Sequence, residues 1–526
     1  MELAGRRFWL CDVWHDPCDH SMSYPKKIYK MTPTQGLVSD LPVYELAPQA
    51  WSQVVNMHPK NGGMQLARPL DQAYGTLLDT PYHVQNIQAQ GQNFWLYWGP
   101  DTVSAVETSN PHVDLTIGGG LTAVEPEDII SAQLNGVSVF TNGFDTPQYW
   151  DGSTSSNFAN LPDFPAATVA RGIAAGQYHL FAFDIDGPGG QFPMQVKWSD
   201  AAPPGAVPGS WTPTAANQAG DTELSQTPGR VQCMVPLRGS YAFYKTSSMY
   251  IADYVQGNEI FTFRPALTQC GAFTRKSVVD IGGQHFVVTD GDIVITDGVQ
   301  VSSIANERVR DFLFGQIDGT HYAKLFTIYN QALSQVWVCF PESGSAVCTR
   351  ALIWDVLKNI WGTRALANVR HGATGYVNDA GSSLLWDAIT ETWDQLNILW
   401  NAENFSSATR SMILADGNIL ELVGRAGTFS EGYLERLSLS FGEAERFKFV
   451  KRIHVRGTGG TIYVRVGSQA VAGAAVAWSA EMPLILGTDA FVNCAAQGRY
   501  ISVSIRVPED SLITAVNIEA ELRGYT

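Results

Sequence analysis

Basic charge is what this chain of 526 residues lacks most: 34 Lys and Arg stand against 50 Asp and Glu, a formal charge of −16. A protein that grips nucleic acid through its phosphates needs a cationic surface, so the balance argues against such a grip while leaving a duplex free to slide past. Charged residues of either sign are only 16% of the chain and hydrophobic ones 45%, which excludes a largely disordered polypeptide. Cysteine is scarce as well. The seven lie at positions 11, 18, 233, 270, 339, 348 and 494, an odd count with no CxxC pair. Free buried thiols in a protein made in a reducing cytoplasm are therefore expected, not a disulfide framework. Long apolar runs are missing too. Near the N-terminus only Phe8-Trp9-Leu10 is apolar, and residues 470–478 form the most apolar later stretch. Neither reaches the length of a secretory signal or the roughly 20 residues of a bilayer span, so an unprocessed chain with no membrane span is expected.

Turns and aromatics are abundant instead, with 49 Gly, 26 Pro, 15 Trp, 19 Tyr and 24 Phe. That composition suits many short strands, and the length suggests several units or one repetitive β fold. Asn-Gly or Asp-Gly occurs nine times, starting at 61, 135, 142, 151, 186, 290, 297, 318 and 416. These dipeptides suit type I′ hairpins, in which both central residues take positive φ. Residues 286–289, Asp290-Gly291, residues 292–296 and Asp297-Gly298 alternate two strands with two turns. Their apolar residues are consecutive, as in strands covered on both faces. A related unit runs through residues 137–141, Asn142-Gly143 and Tyr149-Trp150-Asp151-Gly152. A looser repeat sets Trp354-Asp355 before Trp361, and Trp386-Asp387 before Trp393. Small β units repeated in this way suggest a propeller; a stack of β-sandwiches is the alternative that the pattern leaves open.

Past residue 440 the pattern becomes strict alternation: Ile453 and Val455; Ile462, Val464 and Val466; Ile501, Val503, Ile505 and Val507; Val516, Ile518, Ala520 and Leu522. Period two predicts antiparallel strands over a one-sided core. The expected fold is thus all-β: an N-terminal extended or attachment region over 1–75, a β-propeller-like central domain over 76–439, and a C-terminal β-sandwich over 440–526. One helix is expected over residues 306–314, with Asn306 as cap and Val309, Phe312 and Leu313 on its apolar side. Pro-rich residues 200–211 and polar residues 212–229 read as loops, with a subunit interface as their preferred role.

Templates for chemistry fail in turn. The chain has no GxSxG elbow, no Walker-type phosphate loop and no HExxH. Asp184-Ile-Asp186-Gly187 resembles the start of a calcium loop without its later ligands and is read as a tight turn. Arg456-Gly-Thr-Gly-Gly460 joins two expected strands and precedes no helix, so no phosphate role is assigned to it. Cys11, His15, Cys18 and His20 place four zinc-type ligands within ten residues, in a spacing that fits no ordinary knuckle. They are retained as the single metal candidate; no catalytic or cofactor-binding residue and no cofactor is assigned. Paired carboxylates at a glycosidase separation are a three-dimensional property that the sequence leaves open.

Several stretches, taken in order, resemble a known family. They are residues 134–152 (Leu134-Asn-Gly-Val-Ser-Val-Phe through Tyr149-Trp-Asp-Gly152), Val196-Lys-Trp-Ser-Asp200 with Trp211, and Ala242-Phe-Tyr-Lys245 with Tyr250. Residues 283–298, Val336-Trp-Val-Cys-Phe-Pro-Glu342 and Leu352-Ile-Trp-Asp355 continue the series. Together they are similar to tail nozzle proteins of short-tailed bacteriophages, also called tail tubular or hub proteins. The resemblance implies a propeller with accessory β domains and a homohexamer below the portal and tail adaptor. It further implies fibres or spikes attached to the ring, double-stranded DNA passing through the lumen without specific binding, and a place in the virion tail. It brings no catalytic residue. Six copies would carry 6 × (−16) = −96 formal charges, and an acidic wall would repel phosphates in transit. Two other readings stay open: a receptor-binding or fibre-docking tail protein, and a propeller glycosidase acting on host surface polysaccharide.

Overall fold

The computed structural model describes residues 26–107, 111–255, 259–377, 410–417, 419–423 and 429–524. Within them the chain is nearly all β. Five separate four-stranded antiparallel sheets follow one another, and each begins with a strand at the axis and meanders outward. The five axial strands are His83–Ala89, Ile130–Leu134, Val169–Ala175, Val231–Leu237 and Val278–Asp280. A sixth blade comprises Phe326–Asn330, Gln335–Phe340, Cys348–Asp355 and the first half of Ile360–Gly375. The second half of that 16-residue strand opens a seventh blade, continued by Ser411–Asp416 and Ile419–Val423. The outermost strand of this last blade is Leu70–Ala73, from the N-terminal part of the chain. Pairing Leu70–Ala73 with Ile419–Val423 ties the start of the propeller to its end and closes the ring.

Each neighbouring pair of blades shares a hydrophobic core, so the described residues form a seven-bladed propeller. The strand His285–Thr289 shows why its residues are apolar in succession: Val287 packs toward the fourth blade, while Phe286 and Val288 pack toward the sixth. Aromatics fill the wedge-shaped gaps. Between the first and second blades, Trp98, Phe140, Trp150 and Phe158 meet at centroid distances of 5.2 to 6.3 Å, within the range in which rings attract edge to face.

The sandwich is also present, with the alternation expected: Ile453, Val464, Ile501, Val503, Ile505, Val516 and Ile518 are fully buried. It is larger than residues 440–526. Gly432–Leu439 pairs with Tyr500–Val507 and Gln53–Val55 in one sheet, and Lys26–Met31 and Gly63–Leu66 pair with Ser511–Leu522 in the other. Residues 26–66 are therefore woven into the sandwich and are not a free extension, and the strand before residue 440 belongs with it. The sandwich core is continuous with the core between the fifth and sixth blades.

Two local expectations change. Only Asn61-Gly62 and Asn135-Gly136 of the nine dipeptides have positive φ at both residues; Gln90-Gly91 and Arg238-Gly239 form the same turn. Three of the six Asp residues, Asp151, Asp297 and Asp318, close their turns through the side chain instead, as does Asp355 outside the nine. Asp355 accepts from Leu357 N and Lys358 N at 2.9 Å, and Asp297 accepts from Val299 N and Gln300 N. The Trp-Asp repeat is thus a core Trp followed by a side-chain-closed turn; its second copy, at residues 386–394, lies outside the described residues. The helix is Arg310–Gln316, later than expected, and Asn306 does not cap it. The Asp40 carboxylate, 270 residues upstream of Arg310, accepts from Arg310 N and Asp311 N at 2.8 and 3.2 Å. A distant carboxylate serves as the cap that the local sequence does not supply.

Candidate functional site

All seven axial strands line an axial cavity of about 660 Å³, with Gln85, Ala132, Ala174, Gln232, Thr327 and Ala373 beside apolar residues such as Ile173, Val279 and Ile328. Propeller axes stay open because the blades splay as wedges, and a volume of this size suits a small molecule. The leading ends of the axial strands carry a polar cluster drawn from five blades. Lys276 Nζ donates to Pro126 O at 2.7 Å and approaches His83 Nδ1 at 3.2 Å. His83 Nε2 lies 2.8 Å from Ser131 Oγ, and its ring stacks on His371 at 3.9 Å. Arg275 donates to Arg171 O at 2.7 Å and to Asp184 Oδ2 at 2.6 Å. The cluster braces the first, second, third, fifth and seventh blades across one end of the cavity.

Burial sets the protonation of this cluster. It pulls the Lys276 ammonium down to about 7, opposed by the nearby Glu127 and Asp128 charges. His83 and His371 fall well below the usual imidazole value, through burial first and then the charges of Lys276 and, for His83, of His371. Both rings are neutral at pH 7. A lysine with its proton in balance beside two neutral imidazoles can exchange a proton near neutrality.

Asp184, expected in a tight turn, sits in a β-bulge between Phe183 and Ile185 with φ 54°. Its buried carboxylate faces Arg275 and, at 3.7 Å, Arg230, so two guanidinium groups take the place of a cation. The hairpin turn comes later, between Gly187 and Gly190. Arg456 to Gly459 lie in strand Lys448–Gly459, packed against Ser511–Leu522. Cys11, His15, Cys18 and His20 lie outside the described residues. Among the described residues no group of three or more His, Cys, Asp or Glu is arranged to hold a metal. The five described cysteines are free, and burial pushes Cys233, Cys270 and Cys494 up to about 12.

One pair of acids does come together. Glu421 is raised to about 7 by burial and by Asp416, whose own carboxyl burial also raises. Neither lines the cavity; they stand in the wall of the seventh blade beside the closing strand. The Pro-rich loop is packed down: Trp211 is buried against Phe164, and Asp163 Oδ2 accepts from Ser210 Oγ at 2.8 Å. Residues 213–217 after it border a second groove, of about 930 Å³, floored by Trp198, Phe261 and Phe263 between the third and fourth blades. The axial cluster was not read from the sequence. Its only trace there is Arg275-Lys276, a doublet of cations just before an axial strand in an acid-rich region.

No protein-family model and no curated protein sequence matches the chain. Solved structures do. One is PorZ, a surface component of the type-IX secretion system of Porphyromonas gingivalis, with 7% identity and a TM-score of 0.36 over 81% of this chain. The matched part spans 46% of PorZ. A β-propeller domain from Myceliophteria thermophila matches at 10% identity and TM-score 0.39, covering 68% of this chain and all of that one. An exo-β-1,3-galactanase from Phanerochaete chrysosporium matches at 9% identity and TM-score 0.28, over 86% of this chain and all of its own. The blade assignment above rests on the hydrogen-bonded sheets themselves. No helix among the described residues is long and apolar enough to cross a membrane.

Proposed function

We propose that the protein is a non-catalytic structural subunit of a short-tailed bacteriophage tail nozzle, six copies of which surround the path of the ejected genome. The observation that carries this reading is the placement of the family-like stretches. Residues 134–152 fall on the second blade, 196–200 on the third, 242–250 on the fourth, 283–298 on the fifth, and 336–342 with 352–355 on the sixth. Five consecutive blades thus follow the order of the resemblance.

Charge supplies the working principle. Residues 76–439 carry 35 Asp and Glu against 18 Lys and Arg, whereas residues 440–526 carry 8 against 9. The propeller is the acidic wall that turns phosphates away, and the near-neutral sandwich suits contact with neighbouring proteins of the tail, the adaptor above and fibres or spikes at the side. The axial cavity has the volume of a small-molecule site and one braced end, so the duplex would run between copies and not through a propeller. Single-particle imaging of the protein assembled on its adaptor tests the reading. A sixfold ring around an open bore is expected. A trimeric fibre, or a monomer that turns over surface polysaccharide, would overturn it.

A further inference from the structure

The axial cavity reverses the charge of the domain that surrounds it. Its lining contains three cations, Arg275, Lys276 and Arg410, and one carboxylate, Asp280, although acids outnumber bases about two to one over residues 76–439. Asp280 is exposed at the trailing end of its axial strand, four residues after Lys276, and Glu127 and Asp128 stand near Lys276 outside the lining. Two N–H groups of the cluster, one on Lys276 and one on His371, meet no protein acceptor among the described residues. Lys276 uses two of its three N–H groups, on Pro126 O and His83 Nδ1. Val84 N donates to His371 Nδ1 at 3.3 Å, so the neutral ring carries its proton on Nε2. Among the described residues no acceptor meets that Nε2–H.

We infer that the axial cavity is a binding site for a small organic oxyanion, a carboxylate or phosphate compound, whose charged end lies against Lys276 and His371. Gln85, Gln133, Gln232 and Thr374, also in the lining, offer hydrogen bonds to a polar body. Arg275 is already committed to Asp184 and Arg171 O and acts as background charge. The remaining groups that face Lys276 are His83, Glu127, Asp128 and the Cys348 thiol. An anion in the cavity would add to the counter-charge of Glu127 and Asp128, so binding takes up a proton wherever Lys276 is otherwise neutral. This inference stands apart from the nozzle reading and survives its failure.

Calorimetric titration of the full chain with sulfate, whose own charge is constant over the range, tests it at fixed ionic strength. Saturable one-site binding is expected at pH 6.5, weakened by about tenfold or more at pH 9 as Lys276 loses its proton. At pH 8 the binding enthalpy should vary with the ionisation enthalpy of the buffer, which reports proton uptake. Lys276→Met should abolish binding, and His371→Phe should weaken it by about fivefold or more. Absence of saturable binding at pH 6.5, zero proton uptake, or binding that survives Lys276→Met unchanged would each overturn the inference. Should Lys276→Met not fold, the uptake measured on the unmodified protein decides.

Discussion

The propeller and the sandwich share one chain and a continuous core, yet they bury their surfaces by different means. In the propeller Trp98, Trp150, Trp337 and Trp361 are fully buried. Between the sandwich sheets the core is built mainly from Ile and Val at every second residue. Charge divides in the same way. Sandwich arginines lie over rings, Arg506 on Tyr463 at 4.2 Å, Arg465 on Trp478 at 4.6 Å and Arg452 on Phe491 at 4.4 Å. The propeller has such pairs too, Arg370 on Tyr82 at 5.4 Å and Arg364 on Trp337 at 5.6 Å, but it carries an excess of acid and sets Arg275, Lys276 and Arg410 along its axial cavity. The contrast teaches that one unit is organised around an axis and a seam, and the other around two flat faces.

Packing substitutions sharpen the contrast most. Trp98→Ala should cost about 3–5 kcal/mol, since no neighbour can fill the wedge, whereas Ile505→Val in the sandwich should cost about 0.5–1.5 kcal/mol. Urea midpoints of the two variants measure the gap, and equal losses would break the comparison.

Proton linkage separates two places within the propeller. Glu421 at the seam has its folded value raised to about 7 from 4.5. The folded state holds the extra proton, so this stability is present below 4.5 and is lost as pH rises through 7. Lys276 at the axis has its folded value lowered to about 7 from 10.5. There the unfolded state holds the extra proton, and stability is gained as pH rises from 7 to 10.5. His83 and His371, also lowered, add a gain up to about 6.5. Thermal midpoints should lose their Glu421-dependent fall between pH 4.5 and 7 in Glu421→Gln, and part of their rise between pH 7 and 9, below the range in which the buried thiols titrate, in Lys276→Met. Changes of the opposite sign would contradict the assignment of the two sites.

Smaller effects follow at the junction and the surface. Asp40→Ala removes the cap supplied to Arg310–Gln316 from the sandwich side of the chain, and a loss of about 0.5–2 kcal/mol is expected in denaturant unfolding. Tyr463→Leu takes away the ring under Arg506 but leaves its bonds to Glu431 and Glu481. About 0.5–1 kcal/mol should go with it, and a larger loss would mean that the sandwich depends on its surface pairs.

The sandwich was legible in the sequence because its signal is local: alternation at Ile501, Val503, Ile505 and Val507 needs no partner to be recognised. Hairpins were legible for the same reason, although Gln90-Gly91 and Arg238-Gly239 make the turn without its usual first residue. The blade count was not. Ile360–Gly375 serves two blades in a single strand, and the seventh blade is completed by Leu70–Ala73, paired with residues about 350 positions away. The axial cluster was hidden for a similar reason. His83, Ser131, Lys276 and His371 come from four blades, and only ring closure brings them together. The helix cap failed to appear locally because Asp40 provides it through space.

An image of the protein with the tail adaptor proposed as its neighbour, at a resolution that separates propeller from sandwich, tests the central claim most directly. The account predicts six copies around a bore, with the acid-rich propellers toward the duplex and the neutral sandwiches against neighbouring proteins. A bore lined by the sandwiches, or a single copy set off the axis, would contradict it.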